Sequence, residues 1–277
     1  MKRFSIPYIF WAVLFILLPI ALIVYMSFNG ISTMNMGEYR FSTEQYARFL
    51  QPIYLRILWR SIVLAAVSTV VCLLLGYPAA YFISRLKQKD ASMMILLFVI
   101  PMWMNFLLRT YAWITLLGRN GVLNRMMGLL GLGPFEMMYN EGAILMGMIY
   151  NFIPFMVLPI YSVLTKMDKS LLEAAQDLGA SPWHAFRKVT LPLSLSGIYS
   201  GILMCFIPAL STFVISALLG GNKYYLVGNI IEQQFRFTGN WAFGSTISVV
   251  LMLILFTMLF FSRKFGIDDG KGVKHGK

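Results

Sequence analysis

The residues that could do chemistry are few and scattered. Gly266, Gly270 and Lys271 come nearest to a phosphate-binding loop. Three residues rather than four separate the two glycines, and Gly272 stands where a magnesium-holding Ser or Thr belongs. No strand precedes them, so this chain is not expected to hydrolyse ATP by itself. No Ser–His–Asp set or paired carboxylates stand out. His184 and His275 are far apart, and neither sits in a metal-ligand spacing. Cys72 and Cys205 fall inside apolar segments and read as small core residues, not as a disulfide framework. None of the 11 acidic residues lies in the middle of an apolar run, which argues against a proton relay. One charge does lie in such a run: Arg109, within PMWMNFLLRTYAW. At a helix centre it would cost about 2.5–3.5 kcal/mol. Asn105 and Arg109 are four apart, on one helix face with Trp113. Two readings stay open. The face could line a polar translocation path, or Arg109 could snorkel toward the end of the run, roughly 12 Å away at 1.5 Å per residue.

The elements that must position these residues are membrane spans. Of 277 residues, 58% are hydrophobic and 12% charged, with a mean hydropathy of +0.72. Soluble domains carry about 25% charged residues. The sequence therefore predicts an all-α, polytopic membrane protein, not a soluble domain or a β-barrel. The net charge of +12 is assigned to basic loops that set membrane orientation, not to nucleic acid. Six apolar segments are each long enough to cross a bilayer at roughly 20 residues per crossing. They run from about Pro7 to Phe28, Ser61 to Ser84, Met93 to Leu117, Gly142 to Thr165, Leu193 to Leu219 and Trp241 to Ser262. The first is read as a retained span rather than a cleaved signal peptide. Polar stretches at Asn29 to Arg60 and Gly220 to Asn240 separate spans, and VLNRMMGLLG within Gly118 to Glu141 suggests an amphipathic turn. With the N-terminus inside, fourteen of the 23 Lys and Arg residues fall on the inner side and eight outside. That places both termini in the cytoplasm. Gly197 and Gly201, with Ser196 and Ser200, give small-residue steps for close helix packing, and Pro154 and Pro208 fall inside spans.

The longest polar interruption in the second half is Ser170 to Pro192, SLLEAAQDLGASPWHAFRKVTLP. It reads as two short helices joined by a sharp turn. Ser170 and Glu173 suggest a capping box. Leu171, Ala175 and Leu178 share one apolar face. Gly179 suits a left-handed helix end, and Ser181 with Pro182 suits a restart. Trp183 and Phe186 share a side of the second helix, with His184, Arg187 and Lys188 as its polar residues. Charge counting puts this hairpin in the cytoplasm.

Glu173-Ala174-Ala175, three residues, Gly179, nine residues, then Val189-x-Leu191-Pro192 closely resembles the EAA loop of ABC-importer permeases. Val189 in place of Ile is the one departure. The resemblance implies a type I ABC importer permease fold with six transmembrane helices. It also implies that the hairpin docks in a groove on an ATPase subunit, with Glu173, Ala174, Ala175, Gly179, Leu191 and Pro192 as the coupling residues. Pro101-x-Trp103-x-Asn105 through Arg109-x-Tyr111, Gly121-x-Leu123-Asn124, Tyr161-Ser162, Leu219-Gly220-Gly221 and Gly228-Asn229-x-Ile231 are similar to the permeases of spermidine/putrescine importers. Polyamine relatives tend to carry an acid shortly before the Gly-Gly pair; here Ala217 stands there. Aromatic faces could still hold an ammonium group.

The expected organisation is a span and outer loop over 1–59, a permease domain over 60–262 with the coupling hairpin at 170–192, and a cytoplasmic basic tail over 263–277. Trp103, Asn105, Arg109, Tyr111, Tyr150, Asn151, Ser211 and Thr212 are the candidate substrate path. The chain is expected to be a non-catalytic subunit in the plasma (inner) membrane of a prokaryote. Its expected partners are a cytoplasmic ATPase dimer carrying ATP and Mg, a second permease subunit forming a heterodimer, and an extracytoplasmic solute-binding protein. It needs no cofactor or metal of its own. Other solutes (oligopeptide, aminophosphonate, iron, sulfate) remain open. A self-contained secondary transporter would need intramembrane acids or broken repeats, and a membrane enzyme would need a catalytic set.

Overall fold

Helices dominate because apolar runs in a bilayer must satisfy their backbone groups internally. The computed structural model describes residues 10–11, 13–31, 39–168 and 170–264. Lys2, Arg3, Lys169, the tail from 265 and the Gly266–Gly272 stretch lie outside the described residues, as does His275. The helices in order are α1 (Val13–Ser27), α2 (Glu44–Phe49), α3 (Pro52–Ser84), α4 (Gln88–Trp103), α5 (Phe106–Leu117), α6 (Val122–Leu129) and α7 (Glu141–Lys166). Then come α8 (Ser170–Asp177), α9 (Pro182–Leu193), α10 (Leu195–Ser211), α11 (Val214–Leu219), α12 (Val227–Arg236) and α13 (Trp241–Lys264). A single antiparallel bridge, Asn29 to Phe41, is the β-type pairing among the described residues.

The six expected spans meet a more broken reality. Among the described residues, three helices are long and apolar enough to cross a membrane: α3, α7 and α13. Two further candidates are bent pairs. Gln88–Trp103 and Phe106–Leu129 meet at 94°, and Pro182–Leu193 and Leu195–Ser211 meet at 60°. The third span is therefore not the continuous Met93–Leu117 helix expected from hydropathy. The fifth also breaks, at Thr212 and Phe213, before α11. In the first segment the described apolar helix, α1, is shorter than a full crossing. The polar stretches expected as loops hold α2, the first turns of α3, and α12, which presents Val227 and Ile230 as buried apolar residues.

The chain forms two compact units, with the division falling inside α3 at Ser61–Ile62. Of the described residues, the first holds 10–11, 13–31, 39–61 and 225–260. Here Thr246 Oγ1 donates to the Ser27 carbonyl (3.1 Å), and Ser61 Oγ accepts from the Val227 N–H (2.8 Å). Phe243, fully buried, takes Tyr54 edge-on and the Arg48 guanidinium 4.3 Å above its ring. The ring quadrupole attracts the guanidinium held over it.

The second unit holds the described residues within 62–224 together with 261–264, and carries both candidate sites. Its core is the pairing of α7 with α10. A Cβ on Gly197 would lie 3.0 Å from the Ile160 Cα and the Pro159 carbonyl, and one on Gly201 would lie 2.6 Å from Met156 Sδ. The small-residue steps thus let two backbones approach closely, as their spacing predicts. Cys72 and Cys205 are buried, free thiols of this core; Cys205 donates to the Phe152 carbonyl (3.2 Å). Pro154, Pro159 and Pro208 are carried inside α7 and α10.

Candidate functional site: the helical hairpin and the broken spans

The hairpin is built from its turn outward. Gly179 has φ +82°, the left-handed conformation a glycine adopts without strain. Around it the Ala180 N–H donates to the Ala175 carbonyl (3.0 Å) and the Gly179 N–H to the Gln176 carbonyl (2.8 Å). That pair of bonds is a Schellman end, which satisfies carbonyls the helix would otherwise orphan. Ser181 Oγ then accepts from the His184 N–H (3.3 Å), with Pro182 in the first turn, so α9 starts as its sequence predicts.

The start of α8 differs from expectation. Ser170 is not the N-cap of a Ser170–Glu173 box; it is already the first helical residue, and its N–H donates to Asp168 Oδ1 (3.0 Å). An Asp two residues upstream wins because its side chain forms an Asx turn onto the same orphan donor. The backbone and hydroxyl hydrogen bonds of Ser170 hold the Asp168 carboxyl below the usual carboxylate range.

The aromatic pair of α9 divides. Phe186 packs edge-on against Tyr81 and Tyr77 of α3, with ring centroids 5.2 and 6.0 Å away. Trp183 stacks on Phe186 at 5.5 Å yet stays 69% exposed. Tyr77 also shares a hydrogen bond with Ser194 Oγ (3.0 Å) just past the hairpin. The root of the hairpin is therefore tied to α3. Its tip is apolar and exposed: Leu178 is 88% exposed, and Leu171 is exposed as well. The apolar face read from Leu171, Ala175 and Leu178 exists but does not turn into this chain's own core. Glu173, Ala174, Gly179 and Pro192 are exposed, while Ala175 and Leu191 are partly covered. Glu173 borders a cleft of about 690 Å³ between the hairpin and the ends of α3, α4 and α7.

The candidate path residues separate into two groups. Arg109, Asn151 and Thr212 are buried; Trp103, Asn105, Tyr111, Tyr150 and Ser211 are exposed. No side-chain hydrogen bond, ion pair or ring contact joins any two of the eight; Asn105 and Arg109 meet only through the backbone, where the Arg109 N–H donates to the Asn105 carbonyl (3.2 Å). Asn105 does not share a helix face with Arg109, because it is the N-cap of α5. Its Oδ1 accepts from the Leu107 N–H (2.8 Å) and the Leu108 N–H (3.4 Å). An Asn side chain gains more as a cap at a chain reversal than on a helix face. Arg109 does not snorkel into solvent either. It is 9% exposed, its guanidinium lies 5.9 Å from the Phe106 ring, and its Nε has no hydrogen-bond partner among the described residues. Asn151 Nδ2 donates to the Gly147 carbonyl (2.8 Å), leaving a buried Oδ1 without a partner among the described residues. Trp113 meets Tyr150 edge-on at 5.3 Å and ties α5 to α7. Thr212 caps α10 at the break in the fifth span. Sequence reasoning missed these breaks; Pro101, near the end of α4 and followed by a strong capping residue, was the available signal.

An all-helical membrane fold with broken spans and an exposed helical hairpin is the architecture of an importer permease, and residues 3–264 match one such family. The chain belongs to the binding-protein-dependent transport system inner membrane components. It is 37% identical over 263 residues to a spermidine/putrescine transport system permease protein, PotB, of Haemophilus influenzae, covering 94% of this chain and 92% of that one. It is 38% identical over 251 residues to the PotB of Escherichia coli K12, covering 90% and 91%. Among solved structures, a bacterial ABC transporter involved in alginate import matches with a TM-score of 0.78 at 16% identity, over 95% of this chain and 94% of that one. The MetNI methionine ABC transporter matches with a TM-score of 0.55 at 20% identity, over 76% and 93%. The type I ABC importer permease fold expected from the EAA-like spacing is thus the fold observed, and the chain is the permease subunit of an ABC importer.

Proposed function

We propose that this chain carries polyamines such as spermidine and putrescine across the membrane as one half of a permease pair. It does no chemistry of its own; ATP and Mg are handled by a separate ATPase dimer. The observation that carries the drive mechanism is the exposed apolar tip of the hairpin, Leu178 and Trp183, held on a root fixed to α3. A rigid root with an exposed tip transmits motion, because an ATPase that grips the tip pulls on packed helices rather than on a loose loop. Glu173, Ala174, Ala175, Gly179, Leu191 and Pro192 form the coupling element. The permease domain spans 60–262, and both termini face the cytoplasm with the hairpin. A solute-binding protein delivers substrate on the opposite side. The path runs between this subunit and a second, non-identical permease, past Trp103, Asn105, Arg109, Tyr111, Tyr150, Asn151, Ser211 and Thr212. The names of the relatives support the polyamine assignment.

A second reading has one observation in its favour. Arg109 is a buried cation, and Ala217 supplies no acid before the Gly220–Gly221 pair. That balance suits an anionic solute such as an aminophosphonate or sulfate. Reconstitution in proteoliposomes with ATPase, partner permease and binding protein separates the readings. Labelled spermidine should accumulate only with ATP and the ATPase present. Uptake without the ATPase overturns the ATP-driven mechanism, and uptake of the anion in place of the polyamine overturns the substrate.

A further inference from the structure

We propose that the cleft behind the hairpin is a binding site for a phosphate-bearing anion. The cleft is walled by Arg85, Lys87 and Gln88 on one side and by Tyr161, Glu173 and Thr190 on the other. Three independent features converge there. Arg85 and Lys87 form no ion pair with a described residue, and the Arg85 guanidinium is steered by the Tyr81 ring, 4.6 Å from its centroid. The 16-residue helix α4 opens onto the cleft at Lys87, Gln88 and Ala91 with no side-chain cap on its first turn. Free N–H groups and a positive dipole end favour an anion. The acid of that turn, Asp90, is not part of the lining. Finally, Thr190 in the wall is fully buried, and its Oγ1 has no hydrogen-bond partner among the described residues. A buried hydroxyl left unsatisfied costs free energy that an acceptor oxygen would recover.

The ligand chemistry is a phosphate group, with one carboxylate, Glu173, facing two cations. The group can come from an acidic phospholipid or from free phosphate. Arg85 directly follows Ser84, the last residue of the apolar helix α3, at the depth where headgroups lie. A bound phosphate would bridge the end of α3 and the start of α4 to the hairpin. Its effect on transport rests on the hairpin being the coupling element; the site itself does not.

The test uses the full chain in nanodiscs of mixed phosphatidylglycerol and phosphatidylcholine, with retained lipid counted by native mass spectrometry. The wild-type chain should hold phosphatidylglycerol, and the Arg85→Gln/Lys87→Gln variant should lose about 30-fold in apparent affinity, at the scale of two surface cations. The Arg187→Gln/Lys188→Gln variant removes the same charge from the hairpin outside the cleft and should retain the lipid. Thr190→Val removes only the hydroxyl and should weaken retention, which carries the test if the double variant does not fold. In a parallel arm with phosphatidylcholine alone, broadening of the inorganic phosphate signal in phosphorus NMR, lost in the same variants, would identify free phosphate as the source. Absence of both signals, or equal loss in the hairpin control, overturns the proposal. Because no ATPase enters the assay, its failure leaves the coupling reading standing.

Discussion

Single residues set the hairpin. Gly179 carries φ +82° with open space around it, so a side chain there meets no neighbour and is strained only through its backbone. Gly179→Val should cost about 1–2 kcal/mol locally, leaving the chain folded while ATP-driven uptake falls. Gly179→Asn, which tolerates the left-handed region, should keep most of it; uptake by the reconstituted transporter measures both. Asp168 acts at the other end of α8. Its carboxyl is held low by Ser170, so its contribution is present above the ordinary carboxylate range and is lost as pH falls through the lowered value. Asp168→Ala should speed amide hydrogen exchange at Ser170 and Leu171 at neutral pH, whereas Asp168→Asn, still an acceptor, should not. Gly179 and Ser181 were legible in the sequence because their roles are local and tied to residue type. Asp168 was not, because Ser170 three before Glu173 offered an equally good cap pattern, and only backbone geometry chooses between two neighbouring oxygens.

At the scale of elements, hydropathy located the apolar segments but could not see direction. A window average is the same for a straight helix and for one bent by 94° at Met104–Asn105. That is why Asn105 was placed on a face with Arg109 when it caps a new helix instead. Packing was more legible: Gly197 and Gly201 repeat at helical spacing, and such steps have one common use in membranes. Their prediction is correspondingly firm. At Gly197 the obstructing atoms are the backbone of Pro159 and Ile160, which cannot swing aside. Gly197→Leu should therefore force α7 and α10 apart and destabilise the chain by about 1–3 kcal/mol or more, seen as a lower midpoint of thermal unfolding in detergent. Gly128, whose Cβ position is empty, should accept alanine without a change.

For the whole molecule, the proposed orientation rests on the Lys and Arg counts of its loops. Leu178 on the hairpin and Leu129 on α6 are each 88% exposed, and both native cysteines are buried, so thiol labelling has a quiet background. A membrane-impermeant maleimide added to intact cells should modify Leu129→Cys and spare Leu178→Cys until the membrane is opened. The reverse pattern would invert the topology and remove the hairpin from any cytoplasmic ATPase.

The hairpin also contains a five-residue π-helical turn, Phe186–Thr190, between its apolar tip and the span that follows. A π turn holds one residue more than an α turn. Each residue of a helix advances about 100° around the axis. The turn is thus an angular offset: it sets which way Trp183 and Phe186 point relative to the glycine face of α10. The nine-residue spacer between Gly179 and Val189 is then a phase as much as a length. Surface loops usually absorb insertions and deletions freely. This one, though exposed, should tolerate substitution at Lys188 and refuse its deletion, since losing one residue would rotate the tip by about a quarter turn and lift Phe186 off Tyr77 and Tyr81.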